Sequence, residues 1–228
     1  MNIEIVKENQ KLFEAIFQKY IHRDGAENLL NYLRQSDFFT APASRSNHLG
    51  EEGGLCLHSL HVYNRLCEIA PMMVQKNLDG SNGAPICVAP SEESIAIVAL
   101  LHDLCKVNFY TVEMRNKKVY SDHGTKHDSL GWYDWDSVPS YTIKDNLPLG
   151  HGEKSAMIVL RYMDLTDEEL LAIRWHMGFS DTAFKAGDRT ISLALDMCPL
   201  AIALHMADMS ATFFDEKGAE ANGYGNYS

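Results

Sequence analysis

The residues with the greatest chemical reach in this chain are histidines and aspartates set inside apolar helical segments. His102 and Asp103 stand side by side at the end of its most apolar run, Ile95 to Leu104. An apolar helix that ends in two strong ligand residues places polar groups beside the core, where they need partners. Neighbouring residues on a helix point about 100° apart, so both reach one centre only from a helix end or a bent turn. That geometry suits a pair of metal ions bridged by the aspartate; taken alone, a His-Asp dipeptide fits a solvent-facing cap equally well. His58 lies within Leu55 to Leu60, His176 follows Ile173-Arg174-Trp175, and Asp208 ends the run from Ala201. His151 stands between Gly150 and Gly152, where the chain can approach a ligand closely. Each reads singly as a satisfied core residue; together with His102-Asp103 they make a shared centre the more economical reading.

The elements that must position them are mostly helices. Ile5, Phe13, Ile16, Phe17 and Tyr20 fall at mostly helical spacing over residues 3–20. Asp24 with Glu27 is a weaker relative of a capping box, opening a helix through Leu33, and Gly53-Gly54 precedes a helix from Leu55 to Ile69. A Gly/Pro/Asn-rich loop spans Asp79 to Ser91, and Ser91 caps a buried central helix. Thr166 with Glu169 is a true capping box, and Pro199 opens a last helix to about Phe214. Over residues 107–147 aromatic and β-branched residues sit among turn formers, which predicts a small β-hairpin or β-lobe insert with a turn at Arg115-Asn116-Lys117. The chain thus reads as mainly α in one domain over residues 1–215. Its core is about 37–214, the N-terminal helices occupy 1–36, and a flexible Gly/Asn/Glu-rich tail covers 216–228.

Composition narrows the partners. The chain has 228 residues, and its 31 acidic against 20 basic residues give a formal charge of −11. This speaks against a protein that holds duplex or long nucleic acid by counterion release. No run approaches a membrane span and the N-terminus lacks a signal-peptide layout, so a cytoplasmic protein without a membrane partner is expected. Five cysteines without a C-x-x-C pair read as buried free thiols in a reducing compartment.

In their order, His58, His102-Asp103, His151, His176 and Asp208 resemble the H…HD…H…H…D pattern of the HD-domain metal-dependent phosphohydrolase superfamily. Phe38-Phe39 through Gly53-Gly54-Leu55 and His58-Ser59-Leu60 is similar to the lead-in of bacterial and phage HD proteins and of 3′-to-5′ exoribonuclease-type HD domains. The resemblance implies an HD-type helical bundle with two metal ions. His58, His102 and Asp208 would hold the first, His151 and His176 the second, and Asp103 would bridge. Such nitrogen and oxygen donors suit Mn²⁺, Fe²⁺, Co²⁺, Ni²⁺ or Zn²⁺ rather than Ca²⁺. Two ions about 3.5–4 Å apart lower the pKa of a shared water and neutralise phosphoryl charge.

The reaction implied is hydrolysis of a phosphoester in a small phosphorylated substrate: a nucleotide, cyclic nucleotide or short oligonucleotide. Asp103 and Lys106 would be catalytic, and Arg45, His48, Lys106, Lys154 and Ser155 would contact substrate. His61 and His205 would support the ligands. Trp132, Tyr133 and Trp135 either stack a base or hold the insert together. No Gly-Tyr-Pro signature is present, which disfavours cyclic-di-GMP. The same ligands also fit a mixed-valence di-iron oxygenase, and the fold alone fits a non-catalytic nucleotide-binding module.

Overall fold

A computed structural model describes residues 1–45, 48–76, 82–85 and 90–216. It is mostly helical, with a small three-stranded antiparallel sheet. Helix α1 (Ile3–Tyr20) buries Val6, Phe13 and Phe17, while Ile5 is 45% exposed. Helix α2 (Ala26–Gln35) starts differently from expectation. Its N-cap is Gly25 at φ 86°, with no side-chain cap, because a Cβ there would run into the Tyr162 carbonyl. Close packing, not Asp24, sets that helix start.

Helix α3 (Gly54–Ile69) and helix α4 (Glu92–Leu101) form the middle of the body. Ser91 Oγ accepts from Ser94 N as the sequence predicts, and Ala96 to Leu101 are buried without interruption. A helix apolar on every side belongs at the centre of the core, and α1, α3 and helix α6 (Asp167–Trp175) pack around it. Helix α5 (His151–Leu160), the short α7 (Thr182–Lys185), α8 (Thr190–Met197) and α9 (Pro199–Ser210) are the other α-helices among the described residues, with a π-helical turn over Ala211–Asp215. Between α3 and α4, strands β1 (Val74–Lys76) and β2 (Asn82–Pro85) pair antiparallel, where the sequence suggested only loop. The rest of that segment, with Cys87, and the tail from residue 217 lie outside the described residues.

The insert is a small antiparallel sheet, a β-lobe as the sequence allows, but its turn lies elsewhere. Strands β3 (Tyr110–Tyr120), β4 (Lys126–Asp128) and β5 (Gly131–Ile143) are ordered β3-β5-β4. Arg115, Asn116 and Lys117 continue β3 opposite Val138, Ser137 and Asp136, and the chain turns at Ser121–Gly124 instead. Those three residues are polar but include neither glycine nor proline, and a strand exposed on both faces accepts them. Cys56 and Cys105 are buried free thiols as expected and Cys198 is buried with its Sγ on the Glu168 carbonyl, whereas Cys67 is exposed. No single helix among the described residues is long and apolar enough to cross a membrane.

The capping box of α6 is complete, with Thr166 N donating to Glu169 Oε2 and Glu169 N to Thr166 Oγ1. The Glu169 carboxylate is fully buried and also receives both terminal nitrogens of Arg23, at 2.5 and 2.6 Å. Burial would raise its pKa, but Arg23 together with the hydrogen bonds from Thr166 N and Ser94 holds it below the ordinary value. The stability this pair lends is therefore present above the usual carboxylate range and lost as pH falls. Arg23→Ala strands the carboxylate and is expected to cost about 2–3 kcal/mol, discounted because Arg23 is partly exposed. Urea denaturation at neutral pH checks this, and a change under about 0.5 kcal/mol would contradict it.

Candidate metal centre

Five elements deliver the candidate ligands. Helix α3 carries His58, the end of α4 carries His102 and Asp103, α5 opens on His151, α6 ends at His176, and α9 carries Asp208. The bent turn the dipeptide needs is present: His102 keeps helical angles, while Asp103 leaves the helix at φ −105°, ψ 20°. Both side chains therefore face one centre. His58, His102, Asp103 and His176 are buried there.

The histidines are oriented by what they donate to. His102 Nδ1 donates to the Ala99 carbonyl at 2.9 Å and His176 Nδ1 to the Ile173 carbonyl at 2.7 Å. A carbonyl only accepts, so the proton sits on Nδ1 and the Nε2 lone pair points inward. Both carbonyls belong to the last turn of a helix, where backbone acceptors lack intrahelical partners. On His58, Nδ1 faces Glu216 Oε1 at 2.9 Å, which turns its Nε2 inward as well. His58 and His102 meet Nε2 to Nε2 at 3.3 Å. His176 Nε2 is buried with no hydrogen-bond partner among the described residues. His102 and His176 thus turn unprotonated Nε2 atoms into a buried site lined by the Asp103 and Asp208 carboxylates, a donor set that fits a metal.

Asp103 divides the centre in two. Its Oδ1 lies 2.7 Å from His151 Nε2 and 3.7 Å from His176 Nε2. Its Oδ2 lies 3.5 Å from His102 Nε2, 3.6 Å from His58 Nε2 and 2.6 Å from Lys106 Nζ. Asp208 Oδ1 stands 3.2 Å from His58 Nε2 and shares a ligand cluster with His102 and His176.

Burial would raise both aspartates, but Lys106 and the imidazoles keep Asp103 well below its ordinary value, and His58, His102 and His176 do the same for Asp208. Burial depresses His102 to about 4. Burial also opposes the charge on His58, yet Asp208 and Glu216 prevail and lift it to about 9. His151 rises to about 10 against burial, through Cys105 and Asp103. The protein without metal therefore holds protons on His58 and His151 at neutral pH, which a metal ion bound there would have to displace. Apparent metal affinity is expected to rise with pH up to about 9–10. Titration calorimetry in buffers of different ionisation enthalpy reads the released protons; none released near pH 7 would contradict this.

The remaining sequence candidates divide. Arg45, His48, Lys106 and His205 line a cavity of about 580 Å³ over the centre, with Tyr110, Ile143, Met177 and Phe213. His48 packs its ring 5.3 Å from that of His58, and burial lowers its pKa. His205 Nδ1 donates to the His176 carbonyl at 2.6 Å, bracing that ligand's backbone. His61 and His58 share Glu216 Oε1, with His61 Nδ1 at 3.1 Å. Lys154 and Ser155, expected to contact substrate, are turned away from the cavity. Lys154 Nζ is buried, donating to Asp145 at 2.6 Å and lying over the Phe109 ring, while Ser155 Oγ accepts from Cys105 N. The close approach allowed by Gly152 is to α6, since a Cβ there would overlap the Arg174 and Ile173 carbonyls. Trp132 and Trp135 are exposed and do not line the cavity; the root of the sheet does, through Tyr110 and Ile143.

Two contributors escaped sequence reading. Glu216 falls in the tail the sequence marks as flexible, yet its side chain is fully buried against His58 and His61, which hold its carboxyl down at about 2 against the effect of burial. Its place about two helical turns beyond Asp208 was the available signal. Cys105 Sγ lies 3.2 Å from His151 Nδ1, behind the ligand, where the spacing gave no hint of contact. Comparison with protein-family models, with curated proteins and with solved structures finds no match to this chain.

Proposed function

We propose that the chain is an HD-type helical bundle that binds two divalent transition-metal ions and hydrolyses a phosphoester in a nucleotide or short oligonucleotide. The observation that carries this reading is the division at Asp103, one carboxylate oxygen toward His151 and His176 and the other toward His58 and His102. Asp103 with His151 and His176 would hold one ion, and with His58 and His102 the other. Ions bound there supply a water nucleophile of lowered pKa and offset phosphoryl charge.

The protein's own residues bind and orient the substrate. Lys106 stands at the cavity floor with its ammonium on Asp103 Oδ2, and Asp103 first among its neighbours raises its pKa against burial, so it stays charged. It can donate to a phosphoryl oxygen without leaving the centre. Arg45 offers a second cation at the exposed rim. Tyr110, Ile143 and Phe213 provide an apolar wall for a base, and the cavity has the size of sites for small ligands.

The test is hydrolysis of mono- and bis-(nitrophenyl) phosphate by Mn²⁺-loaded protein under nitrogen. Turnover without oxygen supports the reading, and Lys106→Ala is expected to keep its metal and lose about 10²–10³-fold in rate. Oxygen-dependent turnover by an iron-loaded protein without hydrolysis would replace it with the oxygenase. Bound metal with neither activity would leave a nucleotide-binding module.

A further inference from the structure

The sheet stands away from the helical body. Val112 through Tyr120 are exposed one after another along β3, and Val112 and Met114 are 57% and 62% exposed. The order β3-β5-β4 leaves β3 at an edge, matched to β5 from Tyr110 to Tyr120 without an irregularity and free of proline. Lys144 N donates to Phe109 O and Ser121 N to Trp132 O, so odd-numbered residues face β5 with their peptide groups. The even-numbered residues Tyr110 to Tyr120 therefore turn their N–H and C=O groups outward, and no other strand among the described residues meets them. A long, straight, unbulged edge of this kind is a template for another strand.

We propose that β3 pairs antiparallel with β3 of a second copy about a two-fold axis at Met114, joining two sheets into one. The axis stands perpendicular to the sheet, which sets even-numbered residues against even-numbered ones and leaves charge to choose the register. Centred on Met114, Glu113 faces the partner's Arg115, and by symmetry the contact occurs twice. Thr111 then faces the partner's Lys117, Val112 the partner's Asn116, and Tyr110 the partner's Lys118. Centring on Arg115 sets that residue against itself, and centring on Asn116 sets Arg115 against the partner's Lys117. Centring on Glu113 opposes two carboxylates. Like charges directly opposite disfavour these registers, and opposite charges favour the first. Glu113 and Arg115 are free to make the contact: both are more than half exposed, and their mutual separation within the chain is a loose 3.9 Å. The exposed apolar side chains Val112 and Met114 gather at the axis on one face of the joined sheet, which also accounts for their presence on a solvent-facing strand.

Sedimentation velocity over a concentration series tests this with the full chain. The wild type is expected to dimerise reversibly. Glu113→Arg opposes two cations twice over and is expected to weaken association at least tenfold, and adding Arg115→Glu is expected to restore it. Met114→Pro removes an outward N–H and no bond to β5, so it is expected to give a monomer with an unchanged circular dichroism spectrum. A wild type that stays monomeric at every concentration overturns the proposal. So does a dimer indifferent to Glu113→Arg and Met114→Pro, or a double charge variant as weak as the single one.

Discussion

Asp103→Ala is expected to release both metal ions together and to lower hydrolysis by more than about 10³-fold, the loss of the metals' whole contribution. The reason is geometric. Each carboxylate oxygen faces its own pair of imidazoles, so deleting the side chain removes a donor from both halves of the centre. It also strands Lys106 and His151, whose cations Asp103 compensates. Asp103→Asn keeps the shape and removes the charge, which separates loss of metal from loss of fold. Metal content by elemental analysis beside a thermal melt reads both. An Asp103→Asn protein that melts like wild type and holds no metal fits the account; one that retains two ions per chain contradicts the bridging role.

The second large effect is expected at Gly152. In an isolated helix glycine to alanine is stabilising by about 1 kcal/mol. Here the added methyl meets the Arg174 and Ile173 carbonyls, backbone atoms that cannot rotate away. Helix α5 must move off α6, costing about 1–3 kcal/mol as overpacking does. The movement carries His151 away from His176, whose rings now stand 5.1 Å apart between centroids. Gly152→Ala is thus expected to lower the melting temperature and to bind one ion where the wild type binds two, with hydrolysis falling about 10²-fold or more. A higher melting temperature with full metal content would show that the close approach has no part in forming the centre.

What could be read without coordinates follows the range of the interactions. Ser91 and Thr166 cap helices through contacts three residues long, and both were legible. The apolar run ending at His102-Asp103 announced a buried helix whose end must hold polar side chains, and the structure draws His58, His151, His176 and Asp208 to the same point. Contacts set by packing were not legible. His58 and Glu216 are 158 residues apart, and nothing local marks a glutamate in a polar tail as buried. Gly25 replaced the Asp24 cap because of Tyr162, far along the chain. Lys154 sits one turn into a helix, where a phosphate contact is a fair expectation, and only the fold reveals Asp145 and Phe109 already around it. The turn in the insert lies elsewhere for a different reason: polar residues mark a turn as readily as a strand that is exposed on both sides.

The most direct test of the central claim is anomalous diffraction from crystals soaked in Mn²⁺, measured near the metal's absorption edge. The account predicts two peaks about 3.5–4 Å apart. One should lie against Asp103 Oδ1 with His151 and His176, the other against Oδ2 with His58 and His102. A single peak, a peak away from Asp103, or no peak at all would contradict it.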